Sequence, residues 1–424
     1  MRVLIFSSDI LPYPGLPTVG SGLRSWGLGQ ALQKIGHQVI FSMPSAVLKR
    51  HKHAIPPEVA ALTWEWYNMQ RIVQRVEPDV VVVCNWPLLD LMDAEQVGVP
   101  IILDQAGPHL MERELQGFGD QKDNIRRKVN ALRKADYFTC AGHWQYRYFQ
   151  TWLEQAGWTE QERCERTAVI PFSMPPELPE RLPYEELTFV FGGIFLPWQD
   201  PSVGLSILVE EIERRNQGWL RFYGGRHIVY AVNPGIYENL VAKLRQSPRV
   251  IVSGILPYED LIDEYRRAHV ALDLMKRNPE RELALTTRTV GYMWCGLPVI
   301  YNNYSELSDH IREYDAGWVV DPEDREAIRA VIDEIYTCPD RVAQKGENAQ
   351  RLVHERFNWD LTIEPLHHFI RRASYRSTAE RHGEMKVFYR AWRMAVARYR
   401  REGIKALIND AGHYVIKRLS ELVS

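Results

Sequence analysis

The chain lacks any hydrophobic run of about eighteen residues, so no membrane-spanning helix is expected. Cysteine is scarce: Cys84, Cys140, Cys164, Cys295 and Cys338 are scattered, odd in number and without metal-ligand spacing. That argues against a disulfide framework or a zinc site and for a reducing compartment. There is no Asp-x-Asp segment to hold a divalent cation. A dinucleotide fingerprint is missing too, since Gly20-Ser21-Gly22 follows a long loop and no third glycine stands at the right place, which disfavours a nicotinamide-dependent oxidoreductase. No recognition motif points to nucleic acid, and no repeat of about 20–50 residues appears beyond two α/β halves. The opening residues 1–6 read as a strand, too short in apolar length for a secretory leader.

What is present is a globular composition spread over 424 residues, too many for one ordinary core. Residues 2–8 read as a buried strand, 22–35 as a helix and 38–43 as a second strand, the opening of a doubly wound sheet. A helix is expected over 64–76, with strands at 79–84, 100–104, 136–141 and 169–172. Residues 173–183 are proline-rich and aperiodic, and read as a linker. The pattern then restarts, with strands at 187–191, 220–223, 250–254, 270–274 and 297–300 and helices at 202–215, 259–268, 324–336 and 340–355. Open α/β sheets bind ligands past the carboxyl ends of their strands. In the first half that places Asn85-Trp86-Pro87 and the loop from Gln105 to His109 at such an edge. His109 suits hydrogen bonding to a hydroxyl or phosphate, or general-base work, or is an ordinary loop histidine. Gly20-Ser21-Gly22 either cradles a phosphate or turns the chain.

The stretch 280–300 organises the second half. Val290, Met293 and Trp294 mark one helical face, Gly296 stops the helix, and Leu297-Pro298-Val299-Ile300 starts a buried strand. Thr286 and Thr287 sit at the helix start. Free N–H groups there favour an anion, and Arg288 adds positive charge. A phosphate-bearing ligand is one reading; an N-capped core helix with a surface arginine is the other.

Thr287, Arg288, Tyr292, Trp294, Gly296, Leu297 and Pro298 match a segment that often reads Arg-Thr-Arg-x-x-Asp-Tyr-Leu-Trp-Ala-Gly-Leu-Pro in GT-B glycosyltransferases of the family 4-like group (glycosyltransferase group 1). Gly291 departs from it, standing where the family has an acid for the ribose hydroxyls. Leu283 likewise stands where the first of the family's two spaced glutamates would be. The run from Gly192-Gly193 to Trp198-Gln199-Asp200-Pro201 resembles the family's Gly-Gly-x-x-x-Trp-x-Asp-Pro loop, without the arginine and lysine that clamp the diphosphate in many members. Gly224-Gly225-Arg226, the Gly254 to Tyr258 turn, Gln145, and the closing Phe357-Asn358-Trp359 are also similar. The resemblance covers about residues 1–370.

It implies an α/β chain of two Rossmann-like domains facing across a cleft (GT-B), with a C-terminal helical extension. The expected boundaries are 1–173 for an acceptor domain, 174–186 for the linker, 187–354 for a nucleotide-sugar domain, 355–374 for a closing helix and 375–424 for a basic helical tail. It implies transfer of a sugar from a nucleotide-diphosphate donor to an acceptor hydroxyl, with retention, in cell-surface polysaccharide or glycolipid synthesis. The donor would meet Gly192, Gly193, Trp198, Arg226, Gly254, Leu256, Thr286, Thr287, Arg288 and Glu306. Trp198 is read either as a stacking platform or as packing, and Glu306 as a ligand acid or an ordinary first-turn acid. His109 and Arg288 are the candidate catalytic residues, and Gly20, Ser21, Gly22 and Arg24 a candidate acceptor or phosphate loop. No metal and no cofactor beyond the donor are implied. The rival readings are a silent relative partnering another transferase, which Gly291 and the missing clamp favour, and a nucleotide-sugar epimerase.

Residues 371–424 carry thirteen Lys and Arg against five acids, a net charge of +8, which leaves −10 on the rest. Met385, Phe388, Trp392, Val396 and Tyr399 recur every three or four residues among arginines. Such a helix suits an anionic membrane surface, here over 385–419, and a lipid-linked acceptor. The other reading packs it on the acidic body. The expected location is cytoplasmic, peripheral on the inner face of the plasma membrane.

Overall fold

Twelve strands alternate with helices along residues 1–376, the residues that the computed structural model describes. The first six are β1 (Arg2–Phe6), β2 (Gln38–Ser42), β3 (Val80–Cys84), β4 (Ile101–Gln105), β5 (Tyr137–Cys140) and β6 (Thr167–Val169). They form one sheet in the order β2-β1-β3-β4-β5-β6. The second six are β7 (Thr188–Ile194), β8 (Trp219–Gly225), β9 (Val250–Val252), β10 (Val270–Asp273), β11 (Val299–Asn302) and β12 (Gly317–Val320), in the order β12-β11-β10-β7-β8-β9. Every pairing is parallel.

Parallel strands joined by crossover helices bury both faces, and the sequence supplies continuous apolar runs for that. Val80 to Val83 are all 0% exposed. Alternate side chains enter two different cores: Leu4, Phe6, Val81, Val83 and Leu103 lie on one face of the first sheet, and Val3, Ile5, Val80, Val82 and Ile102 on the other. Each such side chain contributes roughly 1.5–3 kcal/mol of burial. The strand order reverses between β1 and β3 in the first sheet and between β7 and β10 in the second. A crevice opens at each reversal because neighbouring connections leave toward opposite faces.

The chain passes between the lobes twice. After β6 it runs without helix or strand to β7, with Met174 bridging to Asn358. It returns through helices Trp359–Thr362 and Glu364–Arg372, which bury Leu366, Phe369 and Ile370 in the core of the first lobe. Both sheets belong to one compact unit. No helix among the described residues is long and apolar enough to cross a membrane. The basic stretch 385–419 lies outside the described residues.

Several element boundaries differ from expectation. The strand expected at 169–172 is paired only over Thr167–Val169; Pro171 has no N–H to donate, and the carbonyls of Ile170 and Pro171 accept from Arg24 instead. The helix expected over 64–76 begins at Met69, because Trp64 is held by a bridge to Pro44 and by its indole N–H on Ser7 O (2.7 Å). Strand β12 and helices Gln121–Lys134 and Tyr237–Leu244 went unread. The first of those helices buries Asn124 and Lys128 on its inner face, which hides its apolar period.

Candidate active site

The second sheet's reversal is built from glycines and one arginine. Gly192 and Gly193 end β7, and Gly193 has φ +127°, a conformation that side chains resist. The space a Cβ would take is filled by Arg288, whose Cζ would stand 3.0 Å from it. The Arg288 guanidinium donates to Gly192 O (3.2 Å) and to Gln199 Oε1 (3.1 Å), and lies 5.4 Å from the Phe191 ring centroid. Asp273, at the end of β10, is fully buried; its Oδ2 accepts from Thr289, while Oδ1 has no hydrogen-bond partner and stands 4.0 Å from Arg288 Nε. Tyr292 fixes the strand end from below, bonding Gly192 N at 2.7 Å.

Arg288 is in the first turn of helix Thr287–Trp294, which has no acid in that turn and no side-chain cap. Helix Gly20–Lys34 likewise has no acid in its first turn and no side-chain cap. The two helix starts meet: a Cβ on Gly20 would stand 2.7 Å from Thr287 Oγ1. Two positive helix ends therefore converge beside an arginine, an arrangement that favours an anion. The Thr286 hydroxyl is engaged elsewhere, with Thr289 (2.9 Å) and Tyr301 (3.0 Å). At Gly291 an added Cβ would meet nothing within 4 Å, so the place of the family's acid is empty space. The Gly254 turn has φ +76° and is open, and Leu256 packs partly against the second-lobe core.

Other expected contacts take different roles. Arg24 is 3% exposed and forms a two-pronged pair with Asp104 (2.9 and 3.1 Å), so its charge is consumed inside the lobe and it is not a substrate contact. Gly22 is required by packing, since a Cβ there would lie 1.9 Å from Ile10 O. The Ser21 hydroxyl points to Asp9 (3.4 Å). Trp198 is only 6% exposed and packs rather than offering a stacking face. Arg226 is exposed and paired with Glu238 at 2.7 Å. Glu306 is a ligand acid for the protein itself. It accepts the backbone N–H groups of His143 (2.9 Å) and Trp144 (2.8 Å), capping helix His143–Gln155 of the opposite lobe. Gly142 leaves room for it, as a Cβ would stand 2.7 Å from Glu306 Oε2.

Across the cleft, His109 begins helix His109–Leu115. Burial, with the neighbouring charge of Lys128, pushes its imidazole down to about 4, so it is neutral at pH 7. Further bonds join the lobes, among them His227 Nε2 to Asp9 Oδ2 (3.1 Å), Tyr230 OH to Ser8 O (2.8 Å) and Gln145 Nε2 to Leu283 O (2.9 Å). Glu112 lies near the buried Glu280–Arg281 pair; burial and the charge of Glu280 raise its carboxyl to about 8. The roles of Gln199 and Asp273 and the charge of Glu280 acting on Glu112 carry no reading in the sequence analysis. Only Asp273 carried a signal, its place at the end of a strand beside the reversal. Among the described residues no group of three or more His, Cys, Asp or Glu is placed to hold a metal ion.

Residues 208–352 match the family model of the glycosyl transferases group 1. Among solved structures the chain is similar to sucrose-phosphate synthase from Thermosynechococcus elongatus, with 18% identity, a TM-score of 0.64, and coverage of 88% of this chain and 98% of that one. It is similar to Anabaena HepE in complex with UDP-glucose, with 15% identity, a TM-score of 0.61, and coverage of 88% and 100%. A glycosyltransferase from Rickettsia africae gives 13% identity, a TM-score of 0.55, and coverage of 88% and 98%. No curated protein matches the sequence. These likenesses share the GT-B frame, and the family match falls on the half that carries Arg288 and the convergent helix start. Residues 208–352 thus carry a glycosyl transferases group 1 domain, in a chain with the two-lobed GT-B fold of a glycosyltransferase.

Proposed function

We propose that the chain moves a sugar from a nucleoside-diphosphate donor to an acceptor hydroxyl, with the diphosphate seated where the two helix starts meet. The observation that carries this is the contact of Gly20 with Thr287 beside Arg288, with no acid in either first turn. In this reading Arg288 and the helix N–H groups neutralise the departing diphosphate, and no metal ion is needed. Preorganised donors of this kind act mainly on the charge that develops in the transition state. The neutral His109 lies on the acceptor side, where it orients or deprotonates the attacking hydroxyl. UDP-glucose is the first donor to try, because HepE, a similar fold, is seen with it. Retention of the anomeric configuration and a role in cell-surface polysaccharide or glycolipid synthesis rest on the family 4 resemblance; proton NMR of the product reads the former. A lipid-linked acceptor and membrane contact rest on the basic tail.

The test is thermal shift of the full chain with UDP, other nucleoside diphosphates and their sugar conjugates, with Arg288→Ala alongside. A nucleotide-selective shift that disappears in the variant is expected. A folded wild-type protein that no nucleotide shifts would overturn the proposal.

A further inference from the structure

A cavity of about 320 Å³ lies where the chain crosses between the lobes. At that point Met174 donates to Phe357 O (2.8 Å) and its carbonyl accepts from Trp359 N (3.0 Å), which stitches the outgoing and returning segments together. Three tryptophans line the cavity: Trp26 of helix Gly20–Lys34, Trp294 at the end of helix Thr287–Trp294, and Trp359 at the start of the return. Two of them have no N–H left for a ligand. Trp359 Nε1 donates to Ser173 O and Trp294 Nε1 to Pro175 O, each at 3.0 Å. What these indoles still offer is the ring surface. Tyr258 adds a fourth ring, and its backbone N–H bonds Leu16 O of the first lobe (3.0 Å).

The charges at the cavity have one sign. Glu259 and Asp263 line it, one turn apart on a single face of helix Tyr258–Arg267, and among the described residues no Lys, Arg or His does. Both acids are exposed. Glu259 Oε1 accepts from Gly15 N (2.5 Å) and Asp263 Oδ1 from Arg266 (2.9 Å), which leaves each a second oxygen without a bond among the described residues. These features select one class of ligand. An anion would face two carboxylates with no base to offset them. A metal ion needs a shell of oxygen or nitrogen ligands, and the walls are mostly rings and aliphatic groups. An alkylated ammonium carries its charge on a weakly hydrated apolar surface, which suits aromatic faces and a carboxylate rim together. The volume is at the small end of ligand cavities, which gather at domain interfaces, and is a small molecule's rather than a chain segment's.

We propose that this cavity binds a small free organic cation of the alkylammonium class, and that the occupant is an effector of lobe movement. It packs on the two indoles that hold the linker carbonyls, so it restrains the segment about which the lobes part. The helices that meet at the anion seat also reach this cavity: Trp26 and Trp294 stand about 10 Å along them from Gly20 and Thr287. The cation site stands apart from the transferase reading; only its coupling to a nucleotide rests on that reading.

The test is titration calorimetry of the full chain, at constant ionic strength, with choline, tetramethylammonium and 3,3-dimethylbutan-1-ol, the uncharged isostere of choline. Wild type is expected to bind both cations, and the isostere on the order of tenfold more weakly. Trp26→Leu is expected to weaken choline binding on the order of tenfold, and Asp263→Asn, a change at an exposed position, about threefold. Should Trp26→Leu fail to fold, Asp263→Asn combined with Glu259→Gln carries the same test. With choline bound, hydrogen exchange at the Met174 and Trp359 amides is expected to slow severalfold. UDP affinity should change with choline by the same factor as choline affinity changes with UDP. Failure to bind either cation, equal binding of the isostere, or variants that all bind choline as wild type does would overturn the site. Choline bound with no slowing at those amides would overturn the effector role. Phosphatidylcholine vesicles that bind the chain when free choline does not would assign the rings to a lipid headgroup and overturn the proposal too. A chain that binds choline but no nucleotide would support the site while sinking the transferase reading.

Discussion

Arg24 lies in helix Gly20–Lys34, which follows β1, and Arg288 in helix Thr287–Trp294, which lies between β10 and β11, and both were read from sequence as ligand contacts. In the first lobe Arg24 is clamped by Asp104 and by two backbone carbonyls. In the second lobe Arg288 has one neutral amide and one carbonyl as partners, and its nearest acid, Asp273, stands at 4.0 Å. One charge is spent on holding β4 to a helix; the other is held by neutral partners, with the buried Asp273 only at the outer limit of an ion pair. The polar groups divide in the same way. The second lobe's edge presents positive charge, and the first lobe's edge presents unmatched neutral donors and acceptors. On the proposed function, the diphosphate faces the second lobe and the acceptor hydroxyl the first.

The comparison predicts opposite signatures for the two arginines. Arg24→Ala leaves Asp104 buried without its partner and is expected to lose about 3–5 kcal/mol of stability by denaturant unfolding, with little change in nucleotide binding by any molecules that stay folded. Arg288→Ala is expected to lose less stability than Arg24→Ala, because Asp273 stands at 4.0 Å rather than in a two-pronged pair, yet to lose roughly 10²–10³ in turnover; equal losses of stability in both variants would erase the distinction. A smaller effect is expected for Glu306→Gln, which replaces charge-assisted bonds between the lobes by neutral ones, at about 1 kcal/mol. Hydrogen exchange at the His143 and Trp144 amides should quicken in it, and unchanged protection would show that the lobes are held elsewhere. The smallest concerns Glu112. Its folded-state carboxyl sits at about 8, above its ordinary value, so the native state binds more protons than the unfolded state and stability falls as pH rises toward 8. Measured from pH 6.5 to 8, clear of the depressed His109 transition, Glu112→Gln should flatten that decline.

Much of the frame was legible in the sequence. The all-apolar run Val80–Val83 and the strand-loop-helix spacing in each half required parallel sheets buried on both faces. Segments whose inward positions are polar were harder. Helix Gln121–Lys134 turns Lys128 inward, and β12 is four residues with Gly317 packed so closely that a Cβ would lie 2.2 Å from Val299 O. Neither fits a simple apolar period.

The site divides along the same physical line. Sequence alone determined which helix starts carry N–H groups and positive charge, because propensity, capping residues and strand ends are local properties of the chain. Gly193, Thr287 and Arg288 could be named that way. Sequence could not say that Arg24 is already neutralised by a residue 80 positions away, that Glu306 caps a helix 163 positions away, or that Gln105 is left without a partner. Those outcomes depend on which groups the fold brings within hydrogen-bond reach and which it shields from water. A charge or an amide is available to a ligand only when nothing else in the tertiary structure has satisfied it.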